Sequence, residues 1–249
     1  MSIINAFDLE SEAILNPQHL VSRIESFPGT TVAIFDDKII ELVKNRKDTE
    51  IISYLSNTQP RKIYRIEHKN KTLAVYENLM GGSASAALLE MMIVKGAKKI
   101  LFFGTCGSLD KDISSGNFII PTAAYRDEGT SYHYLEASDY VEIKTADRLS
   151  QIMQELSLPH IKAKTWTTDA IFRETKINML KRKSEGCLTV EMECASIMAV
   201  GQFRNIEVYQ FLYAEDNLDC LEWESRNRVV TMDSREKYLN IALDIASMI

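Results

Sequence analysis

The pattern of apolar and polar positions divides the chain into short apolar runs and longer amphipathic stretches. Short runs rich in β-branched and large apolar residues are typical of buried strands. Such runs predict strands at residues 31–35, 99–103, 117–120, 161–168 and 207–213. Pro121 is expected to end the third of these strands. Alternating residues at 61–67 and 72–76, joined by residues 69–71, predict a hairpin.

Apolar residues spaced three and four positions apart predict amphipathic helices between these strands. The predicted helices cover residues 39–43, 146–156 and 190–203, together with one that opens at Gly81-Gly82 and stops at Gly96. A C-terminal helix is predicted from one apolar face, formed by Tyr238, Ile241, Ala242, Ile245 and Met248. The polar and aromatic residues 125–140 predict a long ordered loop.

The order of these elements predicts the fold class. A helix that lies between the strands at 72–76 and 99–103 indicates a βαβ crossover in a mostly parallel sheet. The sequence contains no repeat, low-complexity tract or linker, so residues 1–249 are predicted to form a single α/β domain.

Composition narrows the class of protein. The formal net charge of −6 argues against a nucleic-acid partner, because a phosphate backbone needs a basic face. The four cysteines lack CxxC spacing and nearby histidines, which predicts reduced thiols and no metal site. The N-terminal residues do not resemble a signal peptide, and the apolar stretches are shorter than the roughly 20 residues that cross a bilayer. A cytoplasmic protein without a membrane partner is therefore expected.

Polar clusters follow four of the predicted strands, where ligands bind in open α/β sheets. The first cluster is residues 104–108, Gly-Thr-Cys-Gly-Ser. Its glycines permit a sharp turn, and the exposed amides and the Thr105 hydroxyl are suited to hold an anion. The alternative interpretation is an ordinary tight turn at the end of a strand.

The second cluster, residues 190–193, contains the acidic pair Glu191 and Glu193. Both are predicted to open a helix, where its dipole favours negative charge. Residues two apart lie on different faces, so one carboxylate is expected to face a site and the other to be structural. A carboxylate can accept both hydrogens of a sugar diol. The alternative is a pair of helix-start acids that face water.

The third and fourth clusters supply candidates for the recognition of a planar base. In residues 213–217, Asp216 follows an apolar strand and can act as a general acid if its surroundings raise its pKa. An aspartate there is also a common turn or helix cap. In residues 166–174, Ile171 and Phe172 are flanked by charge and can form a pocket wall, although aromatic residues at strand ends are often core.

In their order and spacing, these clusters resemble the nucleoside phosphorylase superfamily, in the branch that holds hexameric purine nucleoside phosphorylases and uridine phosphorylases. The resemblance runs from about Thr31 to the end of the chain and rests on Gly81-Gly82 and on residues 104–107, 126–134, 167–172 and 190–193. It implies a central mixed β-sheet, partly closed into a barrel and flanked by helices. It also implies that phosphate and a nucleoside give a free base and ribose-1-phosphate, without a metal or an organic cofactor. Since family members build each site at a dimer interface, a homo-oligomer (a dimer or a hexamer) is implied.

The resemblance also implies roles for individual residues. Glu193 is expected to hold the ribose hydroxyls, with Met192 packed on the sugar and Glu191 ordering the site. The residues expected to bind phosphate are Gly82, Thr105 with its neighbouring amides, and Lys38. Those expected to frame the base are Ile171, Phe172, Val190, Asp216 and Arg228. The catalytic residues are expected to be Glu193 and Asp216.

The choice between a purine and a pyrimidine rests mainly on Asp216. It falls where purine-specific relatives keep an aspartate for N7, and Arg226 or Arg228 lies about where those enzymes carry a supporting arginine. Residues 126–134 look more like the uridine enzymes. The general-acid argument favours a purine nucleoside, and a pyrimidine nucleoside is the alternative.

The phosphate part of the family pattern is altered in this sequence. The first strand is followed by residues 35–38, Phe-Asp-Asp-Lys, in place of the family's Gly-Asp-Pro-x-Arg, and Phe102 stands where a second arginine is usual. Lys38 can replace one charge, but only as a point donor. Three interpretations follow: phosphate binds with Lys38; or water attacks, with Asp36, Asp37 or Glu128 as general base; or the protein binds a nucleoside without catalysis.

Overall fold

The computed structural model describes residues 2–55, 60–113, 115–220, 223–225 and 231–249. Its strands in these ranges are β1 (Thr30–Ile34), β2 (Glu50–Leu55), β3 (Arg61–His68), β4 (Lys71–Glu77), β5 (Lys99–Ser108), β6 (Phe118–Asp127), β7 (Tyr140–Glu142), β8 (His160–Thr168), β9 (Cys187–Glu191) and β10 (Glu207–Asn217). The α-helices of the same ranges are α1 (Asp37–Lys44), α2 (Gly82–Lys95), α3 (Ala146–Glu155), α4 (Lys176–Ser184), α5 (Cys194–Phe203) and α6 (Met232–Met248).

The ten described strands form one mixed sheet that closes on itself in part. Strands β10, β6, β8, β9 and β5 pair in that order, and β5 pairs again with β10, so these five form a closed ring. Strands β1, β4, β3 and β2 continue the sheet outward from β5. The prediction of a mixed sheet, partly closed into a barrel and flanked by helices, is confirmed.

The predicted crossover lies next to the closed ring. Strands β4 and β5 both pair in parallel with β1, one on each side, and α2 connects them. Leu89 and Met92 of α2 are fully buried in the core. The helix ends at Gly96, as predicted. The φ of 128° at this residue is one that glycine adopts readily and other residues rarely do.

The predicted hairpin is β3 and β4. His68 and Lys71 form the last pair of this hairpin before its turn. The two turn residues have positive φ, 47° at Lys69 and 62° at Asn70. Positive φ at both central residues characterises the two-residue turn whose twist matches that of paired strands.

The prediction that Pro121 ends a strand is wrong. Strand β6 continues through it to Asp127, and its register with β8 shifts between Pro121 and Ala124. Proline has no amide hydrogen to donate, and such a ladder irregularity accommodates it. Consequently the predicted loop at 125–140 begins inside β6 and contains a short 3₁₀ helix at Thr130–His133.

The helix predicted at residues 190–203 begins too early. Residues 187–191 form β9, which pairs in parallel with β8, and α5 starts only at Cys194. A short apolar run fits a buried strand as well as a buried helix, so its periodicity does not locate the boundary. Strands β2 and β7 and helix α4 were likewise not predicted.

Helix α5 lies deep in the molecule, with all of residues 194–201 buried. It packs on α2 and on the barrel strands β6, β8 and β10. The four cysteines are free thiols. In the part of the chain that the structure describes, no helix is both long and apolar enough to cross a membrane.

Candidate active site

A cavity of about 690 Å³ opens at the carboxyl ends of β5, β9 and β10. Its volume lies within the roughly 300–1,000 Å³ of small-molecule sites. Residues from all four clusters identified in the sequence line it: 104–107, 190–193, Glu215 with Asp216, and the segment from Ile171 to Glu174. The sheet therefore brings together residues that are far apart in the sequence.

The wall formed by residues 104–107 is strand, and the predicted turn at this position is wrong. Residues 104–108 continue β5 and pair with β10 and β9. The Thr105 side chain is exposed and lines the cavity. A Cβ on Gly107 would lie 2.6 Å from Leu218 Cδ1 and 2.9 Å from Val190 Cγ1. Glycine at this position allows those two side chains to close against β5.

Glu191 is buried at the end of β9, where it orders the beginning of α5. Its carboxylate accepts hydrogen bonds from Thr167 Oγ1 at 2.6 Å and from the backbone amides of Glu193 and Cys194 at 2.8 and 2.6 Å. Burial raises the pKa of Glu191, and these three donors act in the opposite direction. With three donors fixed on it, this carboxylate suits an ordering role.

Glu193 occupies the turn between β9 and α5 and lines the same cavity. It is 7% exposed, and its Oε1 accepts a hydrogen bond from the Gly81 amide at 2.6 Å. Burial, and next the charge of Glu191, raise the pKa of Glu193. Glu193 is thus fixed to the beginning of α2 while it faces the cavity, beside the half-buried Met192.

Another part of the wall carries Asp216 and Glu174. Asp216 Oδ2 accepts a hydrogen bond from Trp223 Nε1 at 2.9 Å. Burial, and next the charge of Asp216, raise the pKa of Glu174 to about 7. Glu174 carries no distinguishing signal in the sequence, because Asp216 becomes its neighbour only through folding.

The residues expected to frame a base differ in exposure. Val190 is buried, whereas Ile171 is 42% and Phe172 95% exposed, and all three line the cavity. Ile171 and Phe172 therefore lie at its mouth. Arg228 and Arg226 lie outside the described residues.

Two of the three residues expected to bind phosphate are not among those that line the cavity. Gly82 is buried at the beginning of α2, where a Cβ would collide with Ser196 Oγ, so its glycine serves the close approach of α2 to α5. Lys38 is exposed on α1. Only Thr105 of this set faces the cavity.

The three carboxylates suggested as general bases also lie outside the cavity lining. Asp36 caps α1 by accepting from the Lys38 amide at 2.8 Å, and it forms an ion pair with Arg235 at 2.7 Å. Asp37 is exposed in the first turn of α1. Glu128 is buried and accepts a hydrogen bond from Ser196 Oγ at 2.5 Å. These contacts give Asp36 and Glu128 structural partners, and Asp37 lies outside the cavity lining.

The charge of the cavity wall is strongly one-sided. Lys176 is its one cationic residue among those the structure describes. The acidic residues of the same wall are Glu174, Glu191, Glu193, Glu215 and Asp216. Within the described ranges, no group of three or more His, Cys, Asp or Glu residues is arranged to hold a metal ion.

A fold of this kind, with carboxylates at the strand ends around a cavity, matches a known family. The family model described as the phosphorylase superfamily matches residues 32–245. The chain belongs to this superfamily. Guanosine phosphorylase of Halorubrum lacusprofundi is 23% identical over 207 residues, which cover 80% of this chain and 79% of that protein.

Solved structures show the same fold in both phosphorylases and nucleosidases. Uridine phosphorylase from Vibrio fischeri superimposes with a TM-score of 0.76 at 18% identity, covering 96% of this chain and 100% of that one. AMP nucleosidase from Bacteroides thetaiotaomicron superimposes with a TM-score of 0.71 at 18% identity, covering 89% and 88%. One fold therefore hosts more than one activity, and the choice between them depends on the site.

Proposed function

We propose that this protein cleaves the N-glycosidic bond of a purine nucleoside. The observation that carries the proposal is the position of Glu193, a buried carboxylate that lines a nucleoside-sized cavity and is fixed by the Gly81 amide. A carboxylate held in this way can accept hydrogen bonds from both ribose hydroxyls. It would fix the sugar for attack at C1′, with Met192 packed against it.

Asp216 is the proposed acid for the departing base. Negative charge develops on a purine as it leaves, and a proton or hydrogen bond at N7 stabilises it. Asp216 lines the cavity near Glu174, and a pKa of about 7 at Glu174 keeps a proton available in this part of the wall at neutral pH. Val190, Ile171 and Phe172 would frame the base.

Two nucleophiles are compatible with this arrangement. Phosphate, the co-substrate expected from the sequence, would be held by Thr105 and the neighbouring amides of β5, and the reaction would be a phosphorolysis. The one-sided charge of the wall favours water as a second candidate. Five carboxyl groups and a single lysine give a dianion little counter-charge, and the described lining contains no arginine that could hold phosphate through paired, charge-assisted hydrogen bonds.

The proposed reaction uses no organic cofactor or metal. We also propose a homo-oligomer, since two apolar side chains stand exposed at the cavity mouth. Phe172 is 95% and Met80 72% exposed, and both line the cavity. A second copy of the chain that covers this mouth would complete the enclosure of the base and exclude water from it.

A panel of nucleosides tests the proposed function. Purified protein is incubated with adenosine, guanosine, inosine and uridine, with and without phosphate, and the free base is quantified by chromatography. Release of a purine base supports the proposal, and preferential release of uracil would replace it with the pyrimidine alternative. Tight binding without release of any base would contradict enzymatic cleavage.

A further inference from the structure

Gln210 is a polar side chain in an otherwise apolar part of the cavity wall. It lies in the middle of β10, is 2% exposed and lines the cavity. Its Oε1 is buried without a hydrogen-bond partner among the residues that the structure describes. A buried amide oxygen without a partner is unfavourable and uncommon in native proteins. We therefore expect a bound ligand to donate a hydrogen bond to this oxygen.

The register of the barrel places Gln210 beside the strand that would hold the nucleophile. Gln210 is aligned with Phe102 of β5, and the next residue of β10 on the same side, Leu212, is aligned with Gly104. A Cβ on Gly104 would lie 3.0 Å from Phe35 Cδ2, so Phe35 packs directly over that glycine. Gln210 therefore lies on the side of the barrel wall that carries Phe102 and Gly104, where Phe35 packs over the glycine.

This environment selects among nucleophiles. Phe35, Phe102 and Gly104 offer neither a cation nor a polar side chain to an incoming anion, and the described wall holds five carboxyl groups against one lysine. A carboxamide has both an acceptor oxygen and a donor NH₂ group. A water molecule can donate to the first and accept from the second. A phosphate dianion keeps one OH group that can donate, but it would lack a counter-charge beside Gln210.

We propose that Gln210 binds and orients the attacking nucleophile and that this nucleophile is water. The inference rests on the proposed cleavage of a nucleoside and specifies its chemistry. The water oxygen forms a bond to C1′ while the C1′–N bond breaks, and the electron pair of that bond remains on the base. The base takes a proton from the acid at its end of the cavity, and the water proton passes to a wall carboxylate. Nucleoside and water thus give free base and ribose.

The substitution Gln210→Met tests this role, because it keeps the length of the side chain and removes both hydrogen-bonding groups. We expect kcat for base release to fall by between about 10-fold and 100-fold, as loss of orientation at a reacting atom does. KM for the nucleoside and the melting temperature should change little. Gln154→Met is the matched control, since Gln154 is exposed on α3, and it should leave kcat unchanged.

Analysis of the wild-type sugar product tests the nucleophile independently of whether the variant folds. With a saturating concentration of inorganic phosphate we expect ribose, at the same rate as without phosphate. Formation of ribose-1-phosphate, or an unaltered kcat in Gln210→Met, would overturn the inference while base release itself still supports the proposed function. A wild-type protein that releases no base from any nucleoside contradicts the proposed function, and the inference with it.

Discussion

The two halves of the cavity differ in how completely their polar groups are satisfied. In the half proposed to hold the sugar, here called the sugar half, Glu191 accepts three hydrogen bonds and Glu193 is held by the Gly81 amide. In the half proposed to hold the nucleophile, the Gln210 amide oxygen has no partner in the described part of the chain. The protein itself supplies the hydrogen-bond donors of the first half, whereas in our proposal a ligand supplies the donor that the second half lacks.

This difference separates two steps that the resemblance implies together, the binding of the ribose and the capture of a phosphate. The proposed binding of a ribose depends on the carboxylates that follow the end of β9, and these are present with their supporting contacts. Capture of a phosphate dianion depends on cationic groups, and Lys176 is the one that the described wall contains. Membership of the superfamily therefore supports cleavage of a glycosidic bond more firmly than it supports phosphorolysis.

The largest effect is expected from Glu193→Ala in the sugar half. Loss of the carboxylate that positions the ribose should lower kcat/KM for base release by about 1,000-fold or more. The protein should remain folded, since the lost carboxylate accepts one hydrogen bond from the scaffold, donated by the Gly81 amide. Steady-state assays and thermal melting measure the two properties, and near wild-type turnover would refute the assignment of the sugar half.

Asp216→Asn should have the next largest effect, confined to nucleosides whose base needs an acid. We expect a loss of about 100-fold with purine nucleosides, because general acid catalysis contributes about that much. Uridine and a riboside with a nitrophenolate leaving group serve as control substrates and should be affected far less. An equal loss with every substrate would remove the argument for purine specificity.

Glu174→Gln tests the environment of the Glu174 carboxyl group, beside Asp216, through the thermal stability of the protein. The pKa of Glu174 is raised to about 7, above its ordinary 4.5, so its contribution to stability is full below pH 4.5 and is lost as the pH rises through 7. Ionised Glu174 therefore destabilises the folded protein at pH 8, by about 1 kcal/mol once solvent screening of this partly exposed group is allowed for. Glu174→Gln removes that cost and should raise the melting temperature at pH 8 by about 2–4 °C.

At pH 4.5 the Glu174→Gln variant and the wild type should melt together. Glu236→Gln, at an exposed position on α6, is the control and should show no pH-dependent gain. An identical melting temperature for Glu174→Gln and wild type at pH 8 would contradict the environment described for this carboxyl group.

The smallest effect is expected from Lys38→Ala. Lys38 is exposed on α1 and is not among the residues that line the cavity, so removal of its charge should change kcat/KM by less than about 2-fold, with or without phosphate. A selective loss of phosphate-dependent activity would show that Lys38 reaches the nucleophile after all, and it would reverse the comparison between the two halves.

Sequence patterns predicted β5, β8, β10 and α2 near their observed positions, because apolar periodicity reports burial. They did not predict β9 or α4, although residues of both line the cavity. The boundary between β9 and α5 was predicted incorrectly, since an apolar run does not distinguish the end of a buried strand from the start of a buried helix. Glu191 therefore ends a strand instead of opening a helix.

Gln210 and Glu174 could not be identified from the sequence for a different reason. Gln210 lies inside an apolar run, where one polar residue gives no signal until the fold places it in the cavity wall, aligned with Phe102 of β5. The raised pKa of Glu174 comes from burial and from Asp216, a neighbour acquired by folding. Conversely, Lys38 and Gly82 were assigned to phosphate by their position in a motif, and the fold places both outside the cavity lining.

Base release from a purine nucleoside by the purified wild-type protein tests whether this cavity cleaves the bond between a sugar and a purine base. We expect free purine at a rate that depends on Glu193 and is the same in phosphate-free buffer as in saturating phosphate. A nucleoside that binds and is recovered intact under both conditions would contradict it.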